Sequence, residues 1–527
     1  MIGLSASLAV FGQSGSNSPN YFVSAVVGVS MFIGIWALIT ITNNLLFMEA
    51  KKVGIDTSKN DFSIIPSVDA AFRKTGNESS NAGFVRLNKG FDIKLAGKAK
   101  SVFLERGTNR IALKPTNFIG LSPIPKVEVV VGDSVKAGDV IFYDKKNPDV
   151  KFVSPVSGEV VAINRGDKRA IADIVILVDR NQSYKTFNVP SLDADRSTLV
   201  NFMMESGAWT MINQRPFDVI ADANEIPSNI FISTFDSAPL APDNNMVIQG
   251  QQDAFQKGID VLAKLTSGQV HLGLSASAGK PFEGFTNVKK TVFSGKHPAG
   301  NVGVQIHHTA PIRGNAKVWT LGVQEVISIG NLFLTGKFDG SRVVAVTGGE
   351  LSQTGYVRTY IGACVADLVA GDVKHDNVRY ISGDVLSGKQ VDKEGFLDFR
   401  ADQLTVIKEG NEYELFGWLL PLAPRPTISG TFPNFLYPNY EFEANTNTHG
   451  EQRAFVESGQ YEQVLPMDIY VQHLAKAVLA GDIEKMEGMG INELTEEDVA
   501  LCEFVCTSKI PLQSIIRQGL DTMREQA

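Results

Sequence analysis

The sequence predicts a multidomain α/β protein in which one apolar N-terminal helix precedes several soluble domains. Three observations lead to this fold class. No charged residue occurs between Met1 and Phe47. The rest of the chain alternates β-rich runs with amphipathic helices, a pattern typical of mixed α/β domains. The 527 residues, of which 43% are hydrophobic, are also too many for one core and indicate several domains.

The N-terminal tail and helix occupy residues 1–48. Phe22–Ile41 supplies about 20 apolar or small residues, enough to cross a hydrocarbon core of about 30 Å. A buried core helix would normally show a polar face, and a cleaved signal peptide would normally begin with basic residues. We therefore expect a membrane-spanning helix. Lys51 and Lys52 follow it directly and favour a cytoplasmic location for the soluble part.

Composition excludes several classes of function. The net charge of -8 and the absence of a long basic run argue against a nucleic-acid partner. The three cysteines, Cys364, Cys502 and Cys506, cannot form a disulfide framework and are one short of the four that usually hold an iron–sulfur cluster. Residues 49–84 are mixed and polar, and we expect a linker there with one short helix at Val68–Arg73.

Residues 85–185 are predicted to form a barrel-sandwich module. Short β-rich runs alternate with the Gly132-Asp133 and Gly138-Asp139 turns, as in lipoyl- and biotinyl-carrier domains. Carrier domains bear their cofactor on a lysine at a hairpin tip, and Lys145 stands near that place. Pro148 follows closely and is expected to interrupt the next strand. We therefore expect an unmodified module, with a modified Lys145 as the weaker alternative.

Residues 186–341 are predicted to form a nucleotide-binding-like α/β domain. A buried strand at Asn229–Phe235, an amphipathic helix with Phe255 and Ile259 on one face, and a further strand suggest a βαβ unit on a parallel sheet. Neither glycine-rich phosphate motif, G-x-G-x-x-G or G-x-x-x-x-G-K-[ST], follows its first strand. The sequence predicts the fold without its usual phosphate cradle.

The stretch Gly295–His308, GKHPAGNVGVQIHH, combines glycines with three histidines. Glycines permit close backbone approach to a ligand, and histidines bind metals or protons. His307 and His308 are adjacent, however, and would point to opposite faces of an extended chain. We expect a turn with surface histidines, with a ligand- or subunit-contact loop as the alternative and a metal site as the weakest.

The last two regions are a β-grasp domain of the soluble-ligand-binding (SLBB-like) type at 342–412 and a C-terminal region with a helical bundle at 413–527. The β-grasp helix is expected near Ala363–Val369, with Cys364 as a small core residue. In the bundle, Asp468 is expected to cap one helix, and Thr495 with Asp498 has the spacing of a capping box. Cys502 and Cys506 share a helix face and are expected to be buried thiols.

Several segments, in order, resemble the A-subunit of the sodium-translocating NADH:quinone oxidoreductase: LNKGFDIKLAGKA, ESGAWTMINQRPF, DSAPLAPD, GKHPAGNVGVQIHH, QEVISIGNLFLTG, ISGDVLSG, ELFGWLLP and LCEFVC. The resemblance covers about residue 84 to the C-terminus. More distantly, the order of domains is similar to the C-subunit of the Rnf complex and to the NADH-binding flavoprotein of complex I. The N-terminal helix is an addition to the family pattern, in which the A-subunit is peripheral and cytoplasmic.

The distant relatives imply cofactors that this sequence does not accommodate. Where they carry a glycine-rich flavin loop, this chain has bulky Trp209, Met211 and Ile212 between Gly207 and Phe217. Where the distant relatives ligate an iron–sulfur cluster with cysteines, this chain retains only Cys502 and Cys506. We expect no cofactor bound by this chain, no metal ligands and no catalytic residues of its own.

The resemblance implies a subunit of a respiratory, sodium-pumping complex of the bacterial inner membrane that lies on the cytoplasmic side. The apolar helix at Phe22–Ile41 adds the expectation of a single membrane pass, with the rest of the chain facing the cytoplasm. NADH, flavins, iron–sulfur centres, quinone and Na⁺ would be handled through partner subunits, especially the membrane subunits. The alternatives are a purely structural clamp without quinone contact and, more weakly, a carrier protein modified at Lys145. The candidate contacts with quinone or with a partner are Phe118, Ile119, Gly120, Leu121, Trp209, His297, Gly300, Gly303 and His307.

Overall fold

The computed structural model describes residues 21–52, 83–413, 416, 424–429, 434–456 and 459–526. The chain forms two units, Met1–Ser80 and Asn81–Ala527. In the first, helix α1 (Tyr21–Lys52) contains the apolar segment, so the predicted helix is present. Among the described residues no helix is both long and apolar enough to cross a membrane, so the membrane-spanning role predicted for Phe22–Ile41 is not supported. The short helix expected at Val68–Arg73 lies outside the described residues.

The second unit opens with β1 (Gly83–Arg86) and continues into a sandwich of seven strands. These are β2 (Arg110–Leu113), β3 (Lys126–Val127), β4 (Ser134–Val135), β5 (Val140–Asp144), β6 (Asn147–Val153), β7 (Gly158–Arg165) and β8 (Ile171–Val178). They form two antiparallel sheets in the orders β2-β8-β7-β4 and β3-β5-β6. Ile141, Ile174 and Ile176 are fully buried in its core.

The β5–β6 hairpin corrects the expectation that Pro148 interrupts the next strand. Pro148 lies within β6, which is the edge strand of its sheet. The β5–β6 pairing shifts register between Tyr143 and Asp144. A proline, which has no N–H to donate, is tolerated on an edge strand and beside such an irregularity. Lys145 lies between the two paired strands at the exposed tip.

The α/β domain surrounds a seven-stranded sheet. Its elements are α2 (Arg196–Glu205), β9 (Asn213–Arg215), β10 (Val219–Ile220), β11 (Asn229–Ser233), α3 (Asn244–Val247), α4 (Gln252–Ala263), β12 (Val270–Ser275), β13 (Lys289–Ser294), α5 (Val302–Thr309), β14 (Val318–Leu321) and α6 (Val323–Thr335). The strand order is β1-β13-β12-β11-β14-β9-β10. The first five strands in this order are mutually parallel, as the βαβ pattern predicts, and β9 pairs antiparallel to β14.

Two details of this domain differ from the sequence-based expectations. β1 pairs with β13, so the start of the segment assigned to the sandwich module belongs instead to the α/β sheet. His307 and His308 lie in helix α5 and not in a turn. The helix is stabilised because Val304 and Ile306 are fully buried on it, and burial of apolar side chains outweighs the weak helix preference of a β-branched, glycine-containing run.

The β-grasp domain is a mixed five-stranded sheet with one short helix. Its elements are β15 (Ser341–Thr347), β16 (Gly355–Tyr360), α7 (Val365–Val369), β17 (Val378–Ser382), β18 (Lys389–Val391) and β19 (Gln403–Lys408), with the strand order β16-β15-β19-β17-β18. Cys364 is fully buried immediately before α7, in agreement with its predicted place in the core.

The C-terminal helices pack around a second apolar core. They are α8 (Tyr461–Val464), α9 (Val471–Ala480), α10 (Ile483–Gly488), α11 (Glu496–Val505) and α12 (Leu512–Gln526). The predicted capping box is present at the start of α11, where the N–H of Thr495 donates to Asp498 over 3.0 Å. The cap expected at Asp468 is wrong, because α9 starts after Tyr470. Cys502 and Cys506 are fully buried, as predicted.

Candidate functional site

The strand order creates a crevice at the carboxyl edge of the parallel sheet. The chain leaves β11 toward β12 and β13 on one side and returns through α5 to β14 on the other. In open α/β sheets, ligands bind outside the carboxyl ends of the strands at such a topological switch point. A cavity of about 270 Å³ lies here, and we call it the switch-point cavity.

The walls of the switch-point cavity come from three neighbouring parts of the second unit, Asn81–Ala527. The ends of β11 and β14 and the starts of α5 and α6 form one side, the β-grasp domain contributes a second, and α11 closes it. Charged side chains are frequent in this lining: Arg215, Asp218, Asp236, Glu325, Arg342, Arg400, Asp402 and Glu497. The cavity therefore suits a small polar ligand better than an apolar ring.

Arg215, the last residue of β9, connects the sheet to the C-terminal bundle. Its Nη1 donates to Oδ2 of Asp498 over 2.8 Å, and its Nη2 donates to Thr495 Oγ1 over 3.0 Å and to Glu497 Oε1 over 2.8 Å. Burial lowers the pKa of Arg215, but the charges of Asp498 and Glu497 outweigh burial and raise it above its usual value. The guanidinium therefore stays charged and holds the start of α11 against the sheet.

Gly303 makes room for this ion pair. It lies in the first turn of α5, and a Cβ atom there would overlap both the Arg215 guanidinium and the Asp498 carboxylate. Gly303 was a candidate ligand contact on sequence grounds because glycine permits close approach. In the structure, the group that approaches Gly303 closely is the Arg215–Asp498 pair.

Two further arginines lie on the β-grasp side of the cavity. Arg342 in β15 donates from Nη2 to Oε1 of Glu325 over 2.6 Å, and both side chains are buried, so β15 is tied to the first turn of α6. Arg400 donates from Nη2 to the Thr210 carbonyl over 2.8 Å. Within the described part of the chain, its Nε has no acceptor and no carboxylate lies within 4 Å of its guanidinium. Among the described residues, Arg400 therefore forms no ion pair.

Three carboxyl groups in the lining hold their protons more strongly than usual. Burial of its carboxyl group in the cleft raises the pKa of Asp236 to about 7, assisted by the charges of Asp384 and Asp402, although the residue as a whole is exposed. Burial raises the pKa of Asp402 to about 6. Burial and the neighbouring Asp498 raise the pKa of Glu497 to about 8. The negative charge of the cavity therefore depends on pH near neutrality.

Four of the candidate contacts lie on or near α5. Gly300 lines the cavity, and its N–H donates to Ser237 Oγ over 2.8 Å. The same Oγ is 3.0 Å from Nδ1 of His297, which is buried behind the cavity wall. His307 points toward the bundle, with Nδ1 2.7 Å from Oε2 of Glu493. The structure thus gathers Gly300, His297 and Gly303 around one edge and directs His307 to a contact between domains.

The remaining candidates are elsewhere and partly inaccessible. Trp209 is fully buried, its Nε1 donates to the Ala221 carbonyl over 2.8 Å, and its ring meets Trp319 edge-on at 5.2 Å. Phe118 is buried edge-on against Phe152 and Phe399, at 4.7 and 4.9 Å. Ile119, Gly120 and Leu121, which follow it, are at least partly exposed. They do not line the switch-point cavity.

The charged residues of the cavity were not predicted from the sequence. Arg215, Arg400 and Asp402 are far apart in sequence, and no short motif joins them. The sequence did contain a signal for Arg215, because a charged residue three positions after the largely apolar segment Trp209–Ile212 and directly before Pro216 lies at the end of a mostly buried strand. The sequence contained no such signal for Arg400 and Asp402, because their loop reaches the cavity only once the β-grasp sheet has folded.

The segment that corresponds to the relatives' flavin loop is filled by the protein itself. Gly207 has φ 81°, and a Cβ there would lie 2.5 Å from Val153 Cγ2, so the open side of this glycine faces the sandwich module. Ala208–Met211 then form a fully buried 3₁₀ turn. A flavin needs glycines whose open side faces the ligand. These residues do not fit a flavin.

The bundle does not provide the ligands of an iron–sulfur cluster. Cys506 Sγ is 3.1 Å from the Tyr461 hydroxyl, and burial raises the pKa of the Cys502 thiol, whereas cluster ligands are thiolates. Two cysteines also fall short of the usual four. Elsewhere in the described residues, no group of three or more His, Cys, Asp or Glu side chains is placed to hold a metal ion.

Comparison with known proteins gives matches along the second unit. The family models described as the NqrA N-terminal barrel-sandwich hybrid domain, the NqrA second alpha/beta domain and the NQRA C-terminal domain match residues 85–179, 194–338 and 343–393. A solved NAD⁺-reducing [NiFe]-hydrogenase is also similar, at 12% identity over 42% of this chain and 48% of that one. Its TM-score of 0.31 is too low to support an argument.

Full-length relatives give the stronger result. The Na(+)-translocating NADH-quinone reductase A-subunit of Alcanivorax borkumensis is 38% identical over 448 residues, which are 84% of this chain and 100% of the relative. The A-subunits of Vibrio atlanticus and Saccharophagus degradans are each 36% identical, over the same shares of the two chains. This chain therefore belongs to the A-subunit family of the Na⁺-translocating NADH-quinone reductases.

Proposed function

We propose that this chain is the large A-subunit of a respiratory Na⁺-translocating NADH-quinone reductase and takes part in quinone reduction coupled to Na⁺ export. The observation that carries the proposal is its identity of 38% to a named A-subunit over that protein's whole length. In this role the chain has no redox cofactor of its own. The packing of Trp209 and Gly207 into the core supports this, because that segment has no space for a flavin.

The redox centres then reside in partner subunits, and the chain serves as a scaffold beside them. Three domains meet around the switch-point cavity, held by Arg215–Asp498 and Arg342–Glu325. Such buried pairs fix the relative position of the elements that carry them, although their net contribution to stability is small. A rigid arrangement of this kind suits a subunit that docks on the membrane subunits of the complex from the cytoplasmic side.

Contact with quinone is the finer part of the proposal. The segment Ile119–Leu121 is partly exposed and is followed by Ile124, which is 42% exposed, so it offers apolar surface to a quinone head or to a partner helix. The competing role is a purely structural clamp. It is favoured by the burial of Trp209 and Phe118, whose rings are already occupied by Trp319, Phe152 and Phe399.

Deletion and photolabelling test these roles separately. Membranes from cells that lack this chain should lose Na⁺-dependent NADH:quinone reductase activity and regain it when the chain is supplied. A photoreactive quinone, added to the intact complex, should label the segment around Ile119–Leu121, and excess quinone should compete. Activity without the chain would refute the subunit role. Labelling confined to other subunits would leave the clamp as the correct description.

A further inference from the structure

The charged groups that line the switch-point cavity fall into paired and unpaired sets. Glu325 is paired with Arg342 at 2.6 Å, and Glu497 with Arg215 at 2.8 Å. The other charges, Arg400, Asp236, Asp402 and Asp218, have no ion-pair partner within 4 Å among the described residues. Charges left without partners in a partly closed cavity are costly unless a ligand compensates them.

The unpaired positive charge is supplied by arginine. Arg400 lines the cavity, and its buried Nε lacks an acceptor. Nearby Arg215 is 2% exposed, and its Nε also lacks an acceptor. Helix α6 begins at the same wall, but its N-terminus already holds a carboxylate, because Oε2 of Glu325 would lie 2.3 Å from a Cβ placed on the N-cap residue Gly322. The preference of this side of the cavity for a ligand carboxylate therefore comes from the guanidinium N–H groups.

The unpaired negative charge lies at Asp236 and Asp402. In the described part of the chain, both carboxyl groups are met by backbone N–H groups, and neither has a cationic side chain within 4 Å, although the charge of Arg342 acts on Asp402 from farther away and opposes the rise of its pKa. The charge of Asp402 raises the pKa of Asp236, so the two carboxyls are close enough to interact. Asp236 is exposed, which gives this part of the cavity an opening to solvent. Two interacting carboxyls in the lining of one cavity favour an ammonium group.

We propose that the switch-point cavity binds a small zwitterion of the α-amino-acid type, with its carboxylate at Arg400 and its ammonium group at Asp236 and Asp402. A simple anion would leave Asp236 and Asp402 without a cation, and a simple cation would leave the Arg400 Nε without an acceptor, so a ligand with both charges satisfies these three groups. Asp218 is not counted among them, because its charge already acts on Arg400. The cavity volume of about 270 Å³ lies just below the 300–1,000 Å³ range of drug-sized sites, roughly as a smaller ligand requires. Binding of this ligand does not depend on the electron-transfer role.

Calorimetric titration of the purified full chain with each proteinogenic amino acid tests the proposal. At least one should bind, and its N-acetyl and methyl-ester derivatives should each bind at least about tenfold more weakly, because each removes one of the two charges. Arg400→Gln and Asp402→Asn should each weaken binding by a similar factor. Arg358→Gln is the matched control, because Arg358 is exposed over the ring of Phe103 and lies outside the cavity.

Two outcomes would overturn the proposal. One is the absence of binding heat for every amino acid. The other is a binder whose N-acetyl derivative binds equally well, or whose affinity survives both Arg400→Gln and Asp402→Asn. If Arg400→Gln fails to fold, as judged by circular dichroism, Asp402→Asn still decides the matter when binding is measured near pH 8, where a carboxyl with a pKa of about 6 is ionised. Because burial disfavours that charge in the folded protein, an uncharged asparagine should leave the fold intact.

Discussion

Nη1 of Arg215 lies 2.8 Å from Oδ2 of Asp498, and this pair joins the last residue of a sheet strand to the capping box of a bundle helix 283 residues later. The Asp498 side chain is fully buried, and that of Arg215 is 3% exposed. One carboxylate therefore serves both the helix cap and the contact between domains. The stability of the α/β domain and that of the bundle are coupled through it.

Arg215→Met should strongly destabilise the second unit, Asn81–Ala527. The change leaves the Asp498 carboxylate buried without its cation, a defect that typically costs about 3–5 kcal/mol of unfolding free energy. Urea unfolding followed by circular dichroism measures the loss. The control Arg358→Met, on the surface, should change stability by less than about 0.5 kcal/mol. Equal effects of the two substitutions would show that the buried pair is unimportant.

Gly303→Ala should disturb the same contact from the helix side. The added Cβ would overlap Arg215 and Asp498, and overpacking of this kind costs about 1–3 kcal/mol. Gly488→Ala is the matched control, because Gly488 is also helical and has no atom within 4 Å of a Cβ placed there. That change should be neutral or slightly stabilising. Thermal unfolding of the two variants side by side gives the comparison, and equal melting temperatures would refute the crowding at Gly303.

Trp209→Ala should be among the most destabilising changes in the α/β domain, by about 3–5 kcal/mol, because a fully buried indole and its edge-on contact with Trp319 are lost. Trp209→Phe should lower the free energy of unfolding by less, since the variant keeps an aromatic ring at this position. Denaturant unfolding measures both. If Trp209 instead contacted a ligand, Trp209→Phe would weaken quinone binding and leave stability nearly unchanged, which would contradict the packing described here.

The stability of the second unit, Asn81–Ala527, should fall as the pH rises from about 4 to about 8. Asp402 and Asp236 have ordinary pKa values of 3.8, and the folded protein raises them to about 6 and about 7. The folded state therefore binds more protons than the unfolded state in this range, and its advantage is lost as these groups ionise. Unfolding free energies measured across this range should show a shallower fall in Asp402→Asn. An unchanged slope would mean that Asp402 titrates normally.

Local patterns predicted much of the fold. The capping box of Thr495, the βαβ order and the burial of Cys502 follow from short-range spacing and hydrophobic periodicity, and the structure confirms them. The helix at His307 was missed because tertiary burial of Val304 and Ile306 overrides a glycine-rich local signal. Pro148 was misjudged because an edge strand cannot be distinguished from a central one before the sheet order is known.

The candidate site was harder to predict than the fold. Its cations and carboxyls come from β9, the loop before β19 and α11, so their convergence depends on how three domains pack. Of the residues selected from sequence, Gly300 lines the cavity and Gly303 adjoins its Arg215 wall, whereas Trp209 and Phe118 belong to packed cores. Aromatic residues in a glycine-containing loop look alike in sequence whether they face a ligand or a core.

The most direct test of the proposed role is purification of the complex from detergent-solubilised membranes through a tag on this chain, followed by identification of its polypeptides and cofactors. We expect that flavin-bearing partners co-purify, that NADH oxidation by the preparation requires Na⁺ and quinone, and that this chain, once separated, carries no flavin. Recovery of the chain alone, or of the separated chain with bound flavin at equal stoichiometry, would contradict this role.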